Sequence, residues 1–111
     1  MIRIEYNDPN LTLRDRPTNW GGGVKLYNGI PFTGIIFYKS PNSDQLLNES
    51  EYKEGVLEGK QVEYWENGNL KEEYFQKYDY NIGSFKRWNE QGELISHQVF
   101  DENGNYVKTI I

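Results

Sequence analysis

A repeat of 24 residues is the feature that most narrows what this chain can fold into. The stretch Gly59-Lys60-Gln61-Val62-Glu63-Tyr64-Trp65-Glu66-Asn67-Gly68-Asn69-Leu70 returns as Gly83-Ser84-Phe85-Lys86-Arg87-Trp88-Asn89-Glu90-Gln91-Gly92-Glu93-Leu94. Each copy opens on Gly, places an aromatic five positions on, a second Gly at plus nine and Leu at plus eleven. An earlier copy begins at Gly34, 25 residues before Gly59, with Ile35-Ile36-Phe37-Tyr38. It then exchanges the tight turn for Ser40-Pro41-Asn42-Ser43-Asp44, and Leu46 or Leu47 takes the place of the plus-eleven Leu. Phe100-Asp101-Glu102-Asn103-Gly104-Asn105-Tyr106 reads as a fourth, truncated copy. At such a period each unit is one supersecondary element that cannot bury its apolar face alone, so units pair edge to edge or stack.

Each copy reads as strand, turn, strand. The chain has no Ala and eleven Gly, while nine Tyr, five Phe and three Trp make 15% of it aromatic. Only 36% of residues are hydrophobic and the mean hydropathy is −0.86, values near those of disordered chains, but disordered chains are poor in aromatics. Strand formers punctuated by Gly and Asn therefore predict an all-β fold, an elongated antiparallel sheet of consecutive β-hairpin repeats. Strands are expected at 2–6, 24–27, 35–39, 46–52, 60–65, 70–75, 84–88, 94–100 and 105–110. Asn67-Gly68 predicts a type I′ hairpin turn, because Asn-Gly readily supplies positive φ. Gln91-Gly92 predicts a longer loop, and Asn28-Gly29 and Asn103-Gly104 mark further turns. Lys53–Gly59 and Lys77–Gly83 read as connectors, and 7–23, with Pro9, Pro17 and Gly21-Gly22-Gly23, reads mostly as loop anchored by Trp20. One domain over 1–111 is expected, with a strand-and-loop cap over 1–25 and three to four hairpin repeats over 26–106. The aromatics Phe37, Tyr38, Tyr64, Trp65, Phe85 and Trp88 form a ladder that reads as core. Tyr64 and Trp88 are expected to be largely buried, and Gly59 and Gly83 to sit where a Cβ is poorly tolerated.

Charge excludes several function classes. Twelve Lys and Arg against seventeen Asp and Glu leave −5, the wrong sign for a surface that coats nucleic acid or an anionic membrane. It also disfavours the aromatic ladder as a base-stacking platform. No Cys is present, so disulfides, thiolate metal sites and a cysteine nucleophile are excluded. No apolar run approaches the roughly 18 residues that span a bilayer. Met1-Ile2-Arg3-Ile4-Glu5-Tyr6 lacks the pattern of a secretory signal, so a cytoplasmic location is expected. Catalytic chemistry is thinly provisioned. The single His97 adjoins Ser96, but strand neighbours point to opposite faces. Glu72-Glu73 reads as solvated rather than as a glycosidase pair. Gly21-Gly22-Gly23 lacks the Lys-Ser/Thr of a phosphate loop. A non-enzymatic protein with no cofactor and no metal is expected.

The distribution of charge points to a partner. Residues 49–73 hold eight carboxylates against three lysines, a balance of −5, so the remaining residues sum to zero. Such a field attracts a basic protein and raises its association rate. Gln61, Glu63 and Trp65 share one strand face and are assigned to the partner, whereas Val62 and Tyr64 share the other and are assigned to packing. The candidate partner-binding residues are Glu49, Glu51, Glu54, Glu58, Glu63, Trp65 and Glu66.

The pattern Gly-x-x-x-x-(Tyr/Trp)-x-x-x-Gly-x-Leu resembles the MORN-like repeat variant of bacterial YwqK-type antitoxins. Gly34, Gly59, Tyr64, Gly68, Leu70, Gly83, Trp88, Gly92 and Leu94 carry the likeness, and Tyr27-Asn28-Gly29-Ile30-Pro31-Phe32-Thr33-Gly34 looks like the segment that leads into such repeats. The resemblance covers roughly residues 26–106. It implies twisted hairpins in an elongated sheet, and an immunity role in which a cognate toxin, of nuclease or nucleic-acid deaminase type, is neutralised by binding. The acidic, phosphate-like surface suits that partner, with no direct nucleic-acid or membrane contact. The alternative reading is a MORN-like scaffold that recruits a protein or lipid. A small hydrolase or sugar-binding protein is supported only by carboxylates and aromatics.

Overall fold

A computed structural model describes residues 1–15, 23–78 and 80–111. Among them the chain forms strands and turns, with no helix. The strands are β1 (Arg3–Glu5), β2 (Leu11–Asp15), β3 (Gly23–Tyr27), β4 (Ile30–Pro31), β5 (Gly34–Lys39), β6 (Leu46–Lys53), β7 (Val56–Tyr64), β8 (Leu70–Lys77), β9 (Tyr80–Trp88), β10 (Leu94–Phe100) and β11 (Tyr106–Thr109). Eight of them make one sheet in the order β1-β5-β6-β7-β8-β9-β10-β11, and β2-β3-β4 make a small second sheet. From β5 onward the large sheet is an antiparallel meander, as the repeat predicts. β1 joins it in parallel, with Ile4 opposite Ile36.

The repeat is more continuous than the sequence suggests. Lys53 pairs with Val56 across Glu54-Gly55, whose φ values of 52° and 85° are those of a type I′ turn. The expected connectors are therefore the starts of long strands: β7 begins at Val56 rather than 60, and β9 at Tyr80 rather than 84. Gly59 and Gly83 lie inside those strands, each at a bulge. Between the pairs Ser50↔Gln61 and Tyr52↔Leu57 one residue of β6 faces three of β7, and the pairs Glu73↔Lys86 and Phe75↔Ile82 repeat this on β8 and β9. At φ 111° Gly59 holds a conformation that suits glycine, and a Cβ there would stand 3.1 Å from Glu51 Cβ.

Asn67-Gly68 corrects the type I′ expectation. Only Gly68 has positive φ; Gly68 N–H donates to Trp65 C=O at 2.9 Å and Trp65 N–H to Asn69 C=O at 2.8 Å. This is a longer turn with glycine at its left-handed position. The same pattern closes Asn89–Glu93, and again Asp101–Asn105. In the last two turns Asn89 Oδ1 and Asp101 Oδ1 each accept two backbone N–H groups. The Asp101–Asn105 turn lies half a repeat out of phase, at the sheet end that carries Glu54-Gly55. It is thus no fourth copy in register. At the opposite end, neighbouring turns are joined: Ser40 Oγ donates to Glu66 Oε1 at 2.7 Å, and the side-chain amides of Asn67 and Asn69 donate to Glu90 C=O at 2.7 and 2.8 Å.

The cluster of buried hydrophobic residues lies at one end. Ile4, Phe32 and Ile36 are buried together, with Leu11, Tyr27 and Tyr52 packed against them, where the small sheet covers the large one. β2, expected as loop, supplies Leu11 to this cover. Asn28-Gly29 makes the tight turn from β3 to β4 that brings Phe32 inward. The small sheet is fastened to the β6–β7 turn by Lys25 N–H to Gly55 C=O and Gly55 N–H to Phe32 C=O, both 2.8 Å. In contrast, β8, β9, β10 and β11 hold no fully buried residue. Trp88 and Tyr64 are half-buried, packed mainly by their neighbours within the repeat. The expected Trp20 anchor falls outside the described residues.

Candidate functional site

Cross-strand register sorts the central residues onto two faces. Ile36, Ser50, Gln61 and Tyr74 stand opposite one another on the face that carries the small sheet, and Tyr38, Asn48, Glu63, Glu72 and Arg87 form the next row of that face. Phe37, Glu49, Val62, Glu73, Lys86 and His97 form a row on the reverse.

Gln61 overturns part of the assignment to a partner, since it is 1% exposed. Its amide donates to Glu51 C=O at 3.3 Å and to Gly59 C=O at 3.5 Å, carbonyls that the bulge takes out of the regular ladder. A buried amide needs such partners, and the bulge needs such a donor. In the next repeat Phe85 occupies the equivalent position and stacks on Tyr74, centroids 4.7 Å apart. Val62 is buried on the reverse face, as packing requires.

The seven acidic and aromatic candidates do not converge on one surface. Glu49 is on the reverse face, ion-paired with Arg3 at 2.9 Å. Glu51 shares that face with Lys60, Val62 and Tyr64, which with Ile35 and Glu49 line a shallow hollow of about 210 Å³. Burial pushes the Tyr64 phenol upward in pKa, and the neighbouring Glu49 carboxylate adds to this. Glu54 occupies the β6–β7 turn, where its N–H donates to Thr33 Oγ1 at 3.0 Å. Glu58 pairs with Lys53 at 3.7 Å. Glu63 and Trp65 lie on the small-sheet face, beyond the edge of the cover. Trp65 Nε1–H donates to Trp88 C=O at 3.2 Å, and Lys71 Nζ stands 4.7 Å from the Trp65 ring centroid. Glu66, in the following turn, accepts the Ser40 hydroxyl.

Ion pairing consumes only part of the acidic repeat. Lys60 holds Glu73 at 3.3 Å and Arg87 holds Glu72 at 2.9 Å. Glu51, Glu54, Glu63 and Glu66 have no cationic partner within 4.0 Å among the described residues. A cleft of about 400 Å³ opens beside Glu63, lined by Tyr6, Tyr38, Leu47, Asn48, Lys71 and Tyr64, which also borders the hollow on the reverse. Tyr6 and Leu47 were absent from the sequence-based site. Tyr6 arrives through the parallel pairing of β1, and Leu47 through a bulge beside Asn48, neither of which local pattern announces.

Elsewhere, His97 Nε2 lies 3.2 Å from Ser84 Oγ, a cross-strand neighbour, rather than near Ser96. Among the described residues no group of three or more His, Cys, Asp or Glu side chains gathers to hold a metal ion. No helix among them is long and apolar enough to cross a membrane. No family model, curated protein or solved structure matches the chain.

Proposed function

We propose that this protein is a non-enzymatic immunity protein of antitoxin type, which binds and neutralises a basic toxin domain of the nuclease or nucleic-acid deaminase kind. The observation that carries the reading is the uncompensated charge of the central repeat. Four of its eight carboxylates, Glu51, Glu54, Glu63 and Glu66, lack a cation among the described residues, while the sequence outside 49–73 is neutral. A rigid sheet carrying such groups attracts a cationic protein at long range and fixes its orientation at short range. Occlusion by binding requires no chemistry of its own, in keeping with the thin provision of catalytic groups. The toxin class rests on the resemblance of the repeat to YwqK-type antitoxins.

Titration of the purified protein against a toxin encoded beside its gene tests the reading. Tight binding that weakens as salt rises is expected. Charge reversal sorts the two faces, because Glu63→Lys alters the face with the aromatic cleft and Glu51→Lys the reverse. Failure to bind or inhibit any such toxin overturns the proposal.

A further inference from the structure

The cleft beside Glu63 combines three features that ordinary sheet surfaces do not share. First, Glu63 stands directly opposite Glu72 across β7 and β8. Like charges in that position repel, and such a pair is unfavourable unless something neutralises it. Arg87 neutralises Glu72 at 2.9 Å, and no described residue does so for Glu63. Second, an aromatic wall faces the carboxylate. The Tyr6 and Tyr38 rings meet edge to face with centroids 4.7 Å apart, and Tyr6 remains 53% exposed. Third, the space is there, about 400 Å³, enough for the end of a long side chain. Lys71 at the rim does not fill the role of counter-ion: its ammonium lies over Trp65 and makes no ion pair with Glu63. The negative potential of Glu63 and Glu72 is also felt at Tyr74, whose phenol pKa is raised, first by burial and then by these two carboxylates.

We propose that this cleft receives an arginine side chain of a basic partner, with Glu63 as the counter-charge and the Tyr6–Tyr38 pair as the aromatic wall. A guanidinium suits the site because its planar, weakly hydrated group stacks on rings and hydrogen-bonds a carboxylate at the same time. The inference deepens the immunity reading by giving the partner's key side chain a seat, and it rests on that reading for the partner's identity. It also gives the two charges at the rim opposite roles: Glu63 attracts the ligand and Lys71 competes with it.

The test uses the full chain, labelled with nitrogen-15, and the probe acetyl-Gly-Arg-Gly-amide, with acetyl-Gly-citrulline-Gly-amide as its neutral isostere. Saturable amide shifts are expected at Tyr38, Asn48 and Glu63 with the arginine peptide and none with the citrulline peptide. Glu63→Gln should weaken binding by about threefold or more, and Lys71→Met should tighten it by a similar factor, as expected for partly exposed charges. Tyr6→Leu, at a residue outside the sheet core, should weaken it by about threefold through loss of the ring. Equal shifts with the citrulline peptide, shifts centred on Glu49 and Glu51, or a response unaltered in Glu63→Gln and Lys71→Met would each overturn the proposal. Because the peptide titration needs no toxin, it fails or succeeds independently of the immunity reading.

Discussion

Gly59 and Gly83 occupy the same place in two successive repeats, yet alanine should be tolerated very differently at the two. At Gly59 φ is 111°, outside the left-handed helical well, and the added Cβ would lie 3.1 Å from Glu51 Cβ and 2.6 Å from Glu51 Oε2. The carboxylate can swing away; the Cβ cannot. A side chain held in such a sparsely populated region costs about 1–3 kcal/mol. At Gly83 φ is 66°, within the left-handed well, and nothing lies within 4 Å of the added methyl. There the strain is about 1–2 kcal/mol. Both substitutions recover about 0.4–1 kcal/mol by restricting the unfolded chain. Gly83→Ala should therefore lose about 0.5–1 kcal/mol and Gly59→Ala, with crowding added, about 2–3 kcal/mol. For a chain of this size the difference amounts to roughly 7 °C in Tm, at about 4 °C per kcal/mol. Thermal and urea unfolding of the two variants decides the matter. Gly83→Asn should be close to neutral, since Asn tolerates left-handed φ, and Gly59→Asn should not. Equal losses at the two glycines would refute the idea that the Glu51 wall, rather than the repeat position itself, fixes the requirement.

Four other outcomes are expected. Trp65→Phe removes the indole N–H that reaches Trp88 C=O, and should cost about 1 kcal/mol in chemical denaturation. Asn67→Ala and Asn69→Ala remove donors that share the Glu90 carbonyl, so the second loss should be larger than the first, a coupling that a double-mutant cycle measures. Tyr74 has its native pKa raised above the ordinary 10.0, so its neutral form is favoured by folding: the stability it contributes is complete below pH 10 and is lost as pH rises through the raised value. Spectrophotometric titration should show it, with Glu63→Gln moving the Tyr74 midpoint back toward 10.0. Asp101 shifts the other way, held below 3.8 first by backbone N–H donation from Asn105, which with donation from Asn103 outweighs the opposing effect of desolvation; its carboxyl carbon should titrate late on acidification, and its stabilising effect should fade only as pH falls through that lowered value.

Much of the sheet was legible because the repeat prescribes it locally. Gly68 and Gly92 mark turns whose hydrogen bonds close within five residues, and β8 and β10 follow each at once. Glu54-Gly55 is less legible as a tight turn for the converse reason. With Gly59 four residues on, 53–59 reads as a connector with Gly at its bends, whereas the strand runs through Gly59 by bulging. β2 alternates Leu11-Thr12-Leu13-Arg14, but Pro9, Pro17 and three glycines nearby outweighed that short signal. Parallel pairing of β1 with β5 joins residues some thirty apart and leaves no local mark, so Tyr6 could not be placed beside Tyr38. Gln61 shows where period-two reasoning stops: it divides residues between faces, but not between a wet stretch of a face and one where carbonyls at a bulge demand an amide.

The joined turns at one end of the sheet make each repeat a module of length. Every 24-residue unit contributes two strands and a turn that is hydrogen-bonded to the turns beside it. At about 4.8 Å per strand, gaining or losing a unit between Gly59 and Leu94 changes the span of the sheet by roughly 10 Å. The capped end, with Ile4, Phe32 and Ile36, would keep its packing through such a change. Gain or loss of whole repeats would thus lengthen or shorten the surface in fixed steps, without redesign of the core.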